Sequence, residues 1–436
     1  MEDGELEGLM YGIIGIILLL YWRTWKYYKL IDDPVPREGY LVELPRQVPY
    51  SFYDERKPIL WTATNIITFI GVCSYIYLVW GWKASLLYAV FPLNICGVAW
   101  GRTGNYYMTT SLFVVMTHYF LTHGMAFVSV ATMYLALYST VNSIFYPLLA
   151  LLIPNGFFLL VPLALFLTNP KLRNYMKLRK EKHKELGIKS GFEVHNLANV
   201  PKILAYYIFL SFFPSRLGMF HSWGKTKEYF TKSMFWICLV VCLSFFVLGW
   251  VIDPFMILWW FMAMGIFCHI QGHYGQFVAE RYTVVANVAF CVIVAKVLPY
   301  EVILVYASLL FYRSHVYIPS WRHNINLFSQ GVTAFPECTE NYNNYGLYLL
   351  ERGRWQEALS PFLLALKYTT GNKYGLHKNV ARCYYSIKHY DKAYAHIIEA
   401  IKTCPEKEKG ELRILSFEIN DKVRRGKRLL KQLNEL

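Results

Sequence analysis

The sequence predicts an all-α chain in two parts, a polytopic membrane helical bundle followed by a short array of helical repeats. Two observations carry this prediction. Nearly all of residues 8 to 312 is apolar enough to lie in a membrane, and residues 339 to 406 hold two copies of a soluble helical pattern in phase with each other. Composition agrees. With 55% hydrophobic, 18% aromatic and only 17% charged residues, the chain has too little polar surface for a water-soluble fold of 436 residues.

The membrane part, residues 1–320, opens on an acidic stretch, MEDGELE, where a cleavable signal would be basic. The apolar run Leu9 to Trp22 lacks a small-residue cleavage site and reads as a first anchor. Further apolar stretches fall near 58–80, 84–100, 105–122, 124–140, 144–168, 203–213, 233–252, 255–270, 283–298 and 300–312, so about 11 membrane segments are expected. Several are shorter than the roughly 20 residues that a straight span needs. Broken, tilted or re-entrant helices are then expected, buried where protein or a water-filled cavity satisfies their backbone. The basic loop 171–200 carries eight Lys/Arg against two Glu over its first nineteen residues, which places it in the cytoplasm. Five crossings back from that loop put the loop 23–57 outside, and five forward put the repeats outside too. Arg23, Lys26 and Lys29 locally favour the opposite orientation, but the larger cluster outweighs them.

Beyond a connector, 321–338, the residues Tyr345, Gly346, Leu349, Ala358, Phe362 and Ala365 stand at the spacing of a tetratricopeptide repeat. Val380, Ala381, Tyr384, Ala393, Ile397, Ala400 and Pro405 repeat it 35 residues later, giving two repeats over 339–407. Small residues at 346, 358, 365, 381, 393 and 400 let paired helices approach closely, and Gly353 marks the first turn. Residues 408–436 read as a basic capping helix. Two repeats and a cap barely suffice for an independent array, so they should lean on the membrane part. Packing or oligomerisation and peptide binding, centred on Tyr348 and Trp355, both remain open as roles for this module.

The net charge of +15 is concentrated near Lys171 to Lys189 and Lys407 to Lys431. Such clusters beside spans point to topology or anionic membrane lipid, and no nucleic-acid module accompanies them. The nine cysteines show neither a CxxC pair nor a ligand spacing, so no zinc site or disulfide framework is predicted. His269 and His273 lie four apart without a third ligand and read as an interfacial pair.

Four elements in order resemble the transmembrane-and-TPR protein O-mannosyltransferases and their bacterial relatives, within the C-type glycosyltransferase (GT-C) superfamily. FPLNICGVAWGR (Phe91 to Arg102) is similar to the family's HPxHxExVAWxxGR, and YYIFLSFFPSRL (Tyr206 to Leu217) to its interfacial YxxxLxxP. The stretch from Trp259 to Tyr282, ending AERY, resembles the family helix that leads to an acidic-Arg-Tyr element. WRHNINLFSQGVTAFP (Trp321 to Pro336) resembles its bridge into the first repeat. The resemblance implies a glycosyltransferase that moves a hexose, mannose leading, from a polyprenyl-phosphate sugar to a Ser/Thr of an acceptor protein or to a glycan hydroxyl. The active site would face the extracytoplasmic side, in the bacterial inner membrane or the endoplasmic reticulum.

Such chemistry needs a carboxylate as base or metal ligand and cations to hold the donor phosphate. The family's acidic pair after its first helix corresponds to Asp32 and Asp33, with Asp32 the expected base and Asp33 its partner or the ligand of a divalent cation. A plain Asp-Asp-Pro turn is the alternative. Arg281 is expected to clamp the phosphate, with Glu280 orienting it, Tyr282 lending a hydroxyl and Arg102 reaching the same group. An interfacial salt bridge with an aromatic anchor is the competing account of Glu280 to Tyr282.

The chain also departs from the family. Phe91, Asn94 and Cys96 replace its His, His and Glu; Gly104 stands where an acid follows the GR; and Val284, Val285 and Ala286 replace a YLP. A second functional class is therefore a catalytically inactive GT-C-derived scaffold whose repeats bind partners. A transporter is disfavoured, since no inverted repeat is visible. The topology has a direct test. Cysteines placed at Asp54→Cys and Glu357→Cys should label from the same side of sealed vesicles, and opposite labelling would discard the eleven-crossing arrangement.

Overall fold

The computed structural model describes residues 3–22, 24, 58–170, 172, 174, 177, 181, 197–219, 221, 232–268, 278–369, 373–404 and 406–434. Among these the fold is all-helical, with a single isolated bridge between His221 and Val278 as the only β pairing. Three helices are long and apolar enough to cross a membrane: Thr62–Trp80, Met234–Ile252 and Tyr300–Arg322. A fourth span is available if the bent pair Trp82–Val90 and Pro92–Ala99 counts as one, and the other apolar helices are 10–17 residues long. The helix α10 (Lys232–Ile252) turns Trp236, Val240, Leu243, Val247 and Val251 outward. A continuous outward apolar face on a helix long enough to span a bilayer is suited to lipid. The chain is a membrane protein.

The helices that precede the repeats run in order α1 (Asp3–Tyr21), α2 (Pro58–Trp80), α3 (Trp82–Val90), α4 (Ile95–Ala99), α5 (Gly101–Thr122), α6 (Ala126–Ser139), α7 (Phe145–Leu149) and α8 (Leu160–Thr168). After them come α9 (Val200–Phe212), α10, α11 (Pro254–Gly265), α12 (Ala286–Val297) and α13 (Tyr300–Tyr317). The expected stretch 84–100 is a broken helix, bent by 61° between α3 and the Pro92–Ala99 piece. Pro92 offers no N–H to continue α3, and the carbonyls freed by the break need donors inside the protein. Asn94 Nδ2 donates to Tyr88 O at 2.9 Å, and Ser314 Oγ of α13 donates to Val90 O at 2.7 Å.

The largely apolar stretch 144–168 is also divided. Pro154 and Asn155, the latter left-handed at φ 63°, reverse the chain between α7 and α8. Gly156 packs so closely there that a Cβ would stand 1.7 Å from Ala150 O. Hydroxyl pairs fasten α5 to α6 and to the residue just past its end, Thr117 with Thr132 at 2.9 Å and Thr110 with Thr140 at 3.1 Å. Hydroxyl bridges of this kind hold apolar helices together where lipid supplies no hydrophobic drive.

A connecting helix, α14 (Asn324–Ala334), leads into two helix hairpins: α15 (Thr339–Glu351) with α16 (Trp355–Tyr368), then α17 (Tyr374–Ser386) with α18 (Tyr390–Thr403). Corresponding helices start at 339 and 374, and at 355 and 390, the same 35-residue step. Ala358, Phe362 and Ala365 of the first hairpin and Ala393, Ile397 and Ala400 of the second are buried at equivalent positions. One hydrophobic core runs without interruption from Ile13 through the helices of the bundle to Val380 and Cys383. The first hairpin is thus fixed to the bundle. A smaller core joins Ala381, Ile397 and Ala400 to Leu412 and Ile419 of α19 (Glu406–Asn434), the terminal helix.

Gly346 is the close-approach point of the first hairpin, since a Cβ there would lie 2.8 Å from the buried Phe362 ring. Gly346→Val should therefore overpack this contact and cost about 1–3 kcal/mol. Thermal melting of the full chain checks this, and an unchanged melt would contradict the packing described.

Candidate functional site

The site grows from the three-residue 3₁₀ turn Glu280–Tyr282, which follows α11 in sequence and opens toward α12. Glu280 is buried, and among the described residues three donors meet its carboxylate: Gly218 N at 2.7 Å, His221 Nε2 at 3.2 Å and Tyr317 Oη at 3.0 Å. His221 is fully buried, lies against Phe335 with ring centroids 4.3 Å apart, and has its Nδ1 at 2.9 Å from Tyr206 Oη. The two ring nitrogens of His221 thus bridge Glu280 and Tyr206. Tyr207 belongs to the same knot, its hydroxyl accepting from Ala279 N at 3.2 Å. The interfacial element around Tyr206 and Tyr207, the Glu280 turn and the end of α13 are in this way tied at one carboxylate.

Arg281 faces the aromatic groups of the neighbouring element. Its guanidinium lies 5.7 Å from the Trp100 ring centre and 4.8 Å from that of Tyr282, and Nη2 donates to Tyr282 Oη at 3.3 Å. Tyr282 stacks on Phe267 at 4.1 Å, which fixes the plane of the phenol under the cation. Trp100 leads on to Trp321 of the connector at 6.0 Å, and Trp321 to Tyr317 at 6.1 Å. Tyr107 also hydrogen-bonds this guanidinium, so Arg281 is held among aromatic and phenolic groups by cation–π stacking and hydrogen bonding together. The Trp100 Nε1, buried, has no hydrogen-bond acceptor among the described residues.

The structure thus brings together two of the sequence-predicted elements, the one ending at Arg102 and the one at Glu280 to Tyr282. Arg102 stands at the start of α5, and its side chain lies outside the described residues, as do Asp32, Asp33, His269 and His273. Glu280 meets Gly218, His221 and Tyr317, whereas the sequence suggested it would orient Arg281. Tyr348, expected on a partner surface, is buried with the Arg352 guanidinium 3.8 Å above its ring. Trp355 is half-buried and borders a groove with α17 and α19. His221 and Tyr317 were not singled out from sequence, because their partner lies 59 and 37 residues away and no spacing marks such a contact.

The substituted positions are integrated into packing. Phe91 tilts onto Phe290 at 5.6 Å, Cys96 Sγ donates to Leu93 O at 3.4 Å, and Asn94 Oδ1 accepts from Asn287 Nδ2 at 2.8 Å. Gly104 has no room for an acid. A Cβ there would lie 2.6 Å from the carbonyl oxygens of both Cys96 and Gly97.

Comparison with known proteins gives a partial relationship. No protein-family model and no solved structure matches the chain. A stretch of 188 residues is 27% identical to "Protein O-mannosyl-transferase Tmtc3" of Drosophila melanogaster, covering 39% of this chain and 18% of that protein. The chain therefore spans less than a fifth of that relative's length, and the similarity is distant.

The buried carboxylate yields a prediction. Glu280→Ala leaves the Gly218, His221 and Tyr317 donors without their acceptor and should destabilise the full chain by several kcal/mol, about 1–3 kcal/mol for each donor left unsatisfied. Glu280→Gln keeps one acceptor oxygen and should cost less. Thermal melting in lipid nanodiscs separates the two, and an Ala variant as stable as the parent would contradict the clasp.

Proposed function

We propose that the chain is an integral membrane glycosyltransferase of GT-C type, which moves a hexose from a polyprenyl-phosphate carrier to a protein Ser/Thr or a glycan hydroxyl. Mannose is the favoured sugar, in keeping with the name of the distant relative. In this reading the apolar helices amount to eleven membrane segments, the two hairpins are tetratricopeptide repeats, and both the 23–57 loop and the repeats lie on the extracytoplasmic or lumenal face. The observation that carries the proposal is the meeting of Arg281 with Trp100, which joins two remote sequence elements around one cation.

The reaction in this reading is a substitution at the anomeric carbon. The acceptor oxygen forms the new bond to C1 while the C1–O bond to phosphate breaks, and the electron pair leaves with the polyprenyl phosphate. Arg281 holds that phosphate and stabilises the charge that develops on it, with the Tyr282 hydroxyl and the Trp100 indole N–H as neighbouring donors. Asp32 accepts the proton of the acceptor hydroxyl, and Asp33 supports it. A divalent cation on this pair is a further option. Among the described residues no group of three or more His, Cys, Asp or Glu side chains is placed to hold one.

A second reading rests on its own observation. Phe91, Asn94 and Cys96 fill the place of ionisable family residues with packed side chains, as a retired catalytic scaffold would. Such a scaffold would bind a protein partner through the groove of about 410 Å³ bordered by Trp355, Lys378, Arg382, Tyr385 and Leu412.

Substitution separates the two. Asp32→Asn should reduce transfer from a polyprenyl-phosphate hexose by roughly 10²- to 10⁴-fold with the protein still folded. Arg281→Lys, which keeps charge but loses the planar fork, should chiefly raise the donor KM. Wild-type protein inactive on every lipid-linked hexose, with a stable partner lost on Trp355→Ala, would refute the transferase and favour the scaffold.

A further inference from the structure

The terminal helix α19 outruns its support. Its 29 residues extend about 43 Å, whereas the 14-residue α18 on which it packs extends about 21 Å. Leu412 and Ile419 anchor one face in the small repeat core, and the last buried residue described along α19 is Ile419. At 100° per residue the opposite face carries, in order, Ile414, Phe417, Asp421, Arg424, Arg425 and Arg428. Ile414 and Phe417 are 66% and 75% exposed. Arg424, Arg425 and Arg428 are exposed as well, and Arg425 is the one that pairs with Asp421, at 2.7 Å.

A surface helix that displays two large apolar side chains beside a line of arginines is not shaped for water alone. Apolar side chains insert among acyl chains at the depth of the headgroups, and guanidinium groups bind phosphate oxygens bidentately at the level above. Residues 420–434 hold six Lys/Arg against one Asp, so the charge is complementary to an anionic surface rather than to a neutral one. The host protein is itself in a membrane. An acidic protein partner would fit the arginines, but it gives no reason for Ile414 and Phe417 to stand out on the same stripe.

We infer that the outward face of α19 is a docking surface for anionic phospholipid, with Ile414 and Phe417 inserted at the interface and Arg424 and Arg428 on the headgroup phosphates. This goes beyond the proposed transferase and does not depend on it. Docking would hold the repeats at a fixed angle to the bilayer.

The full chain in nanodiscs tests the inference. All native cysteines are buried except the half-buried Cys238, so a polarity-sensitive label at Ile414→Cys in a Cys238→Ser background reports this face selectively. Brominated-lipid discs of phosphatidylcholine mixed with phosphatidylglycerol should quench the label and shift its emission to the blue, and phosphatidylcholine alone should do so far less. Arg424→Glu combined with Arg428→Glu, or raised salt, should remove most of the quenching. Three results would overturn the inference: no quenching in either disc, equal quenching in both that survives the charge reversal, or shielding of the label only when an acidic protein is added.

Discussion

One buried carboxylate organises the membrane part of this protein. Glu280 is withdrawn from solvent, and leaving a carboxylate unpaired at such depth would cost several kcal/mol. The fold answers with donors from the loop after α9, at Gly218 and His221, and from the end of α13, at Tyr317. Those segments are thereby fixed to the Glu280 turn. Since Tyr317 precedes Trp321 and the connector, the clasp also sets where the repeats begin. Arg281, the next residue of a tight turn, is carried to another side and meets Trp100.

Around that clasp, amides stand where ionisable groups would be costly. Asn105 donates to Asn65, Asn65 donates to Val98 O, and Asn287 donates to both Asn94 and Thr283. These bonds lock α2, the broken helix at Phe91, α5 and α12 to one another without placing charge in an apolar setting. The arrangement keeps the corner near Arg281 rigid and concentrates its charge in few groups. It also bears on both functional readings, because a rigid corner serves phosphate binding and scaffolding equally.

Much of the architecture was legible in the sequence because periodicity and apolar length are local signals. The 35-residue step from Tyr345 to Val380 is found again as two hairpins, and Gly346 and Phe362 meet as small and large partners should. The contact between Trp100 and Arg281 was not readable from the sequence, where only Arg102 of the first element was singled out beside Arg281. Other features were hidden. The break at Phe91–Pro92 depends on donors from Asn94 and Ser314, the latter 224 residues away from the carbonyl it satisfies. Burial of Tyr348 depends on Arg352 folding back over its ring, which helical spacing alone does not specify. The division of 144–168 was signalled in the sequence by Pro154-Asn155-Gly156, a turn mark that a reading by apolar length passes over. The proposed base at Asp32 rests on sequence alone.

The most direct measurement is an experimental structure of the full chain in nanodiscs containing a polyprenyl-phosphate hexose. The account predicts lipid-phosphate density within hydrogen-bonding reach of the Arg281 guanidinium, beside Trp100 and Tyr282, with the sugar directed toward Asp32. Lipid phosphate bound elsewhere, with the Arg281 corner closed by protein side chains, would contradict it.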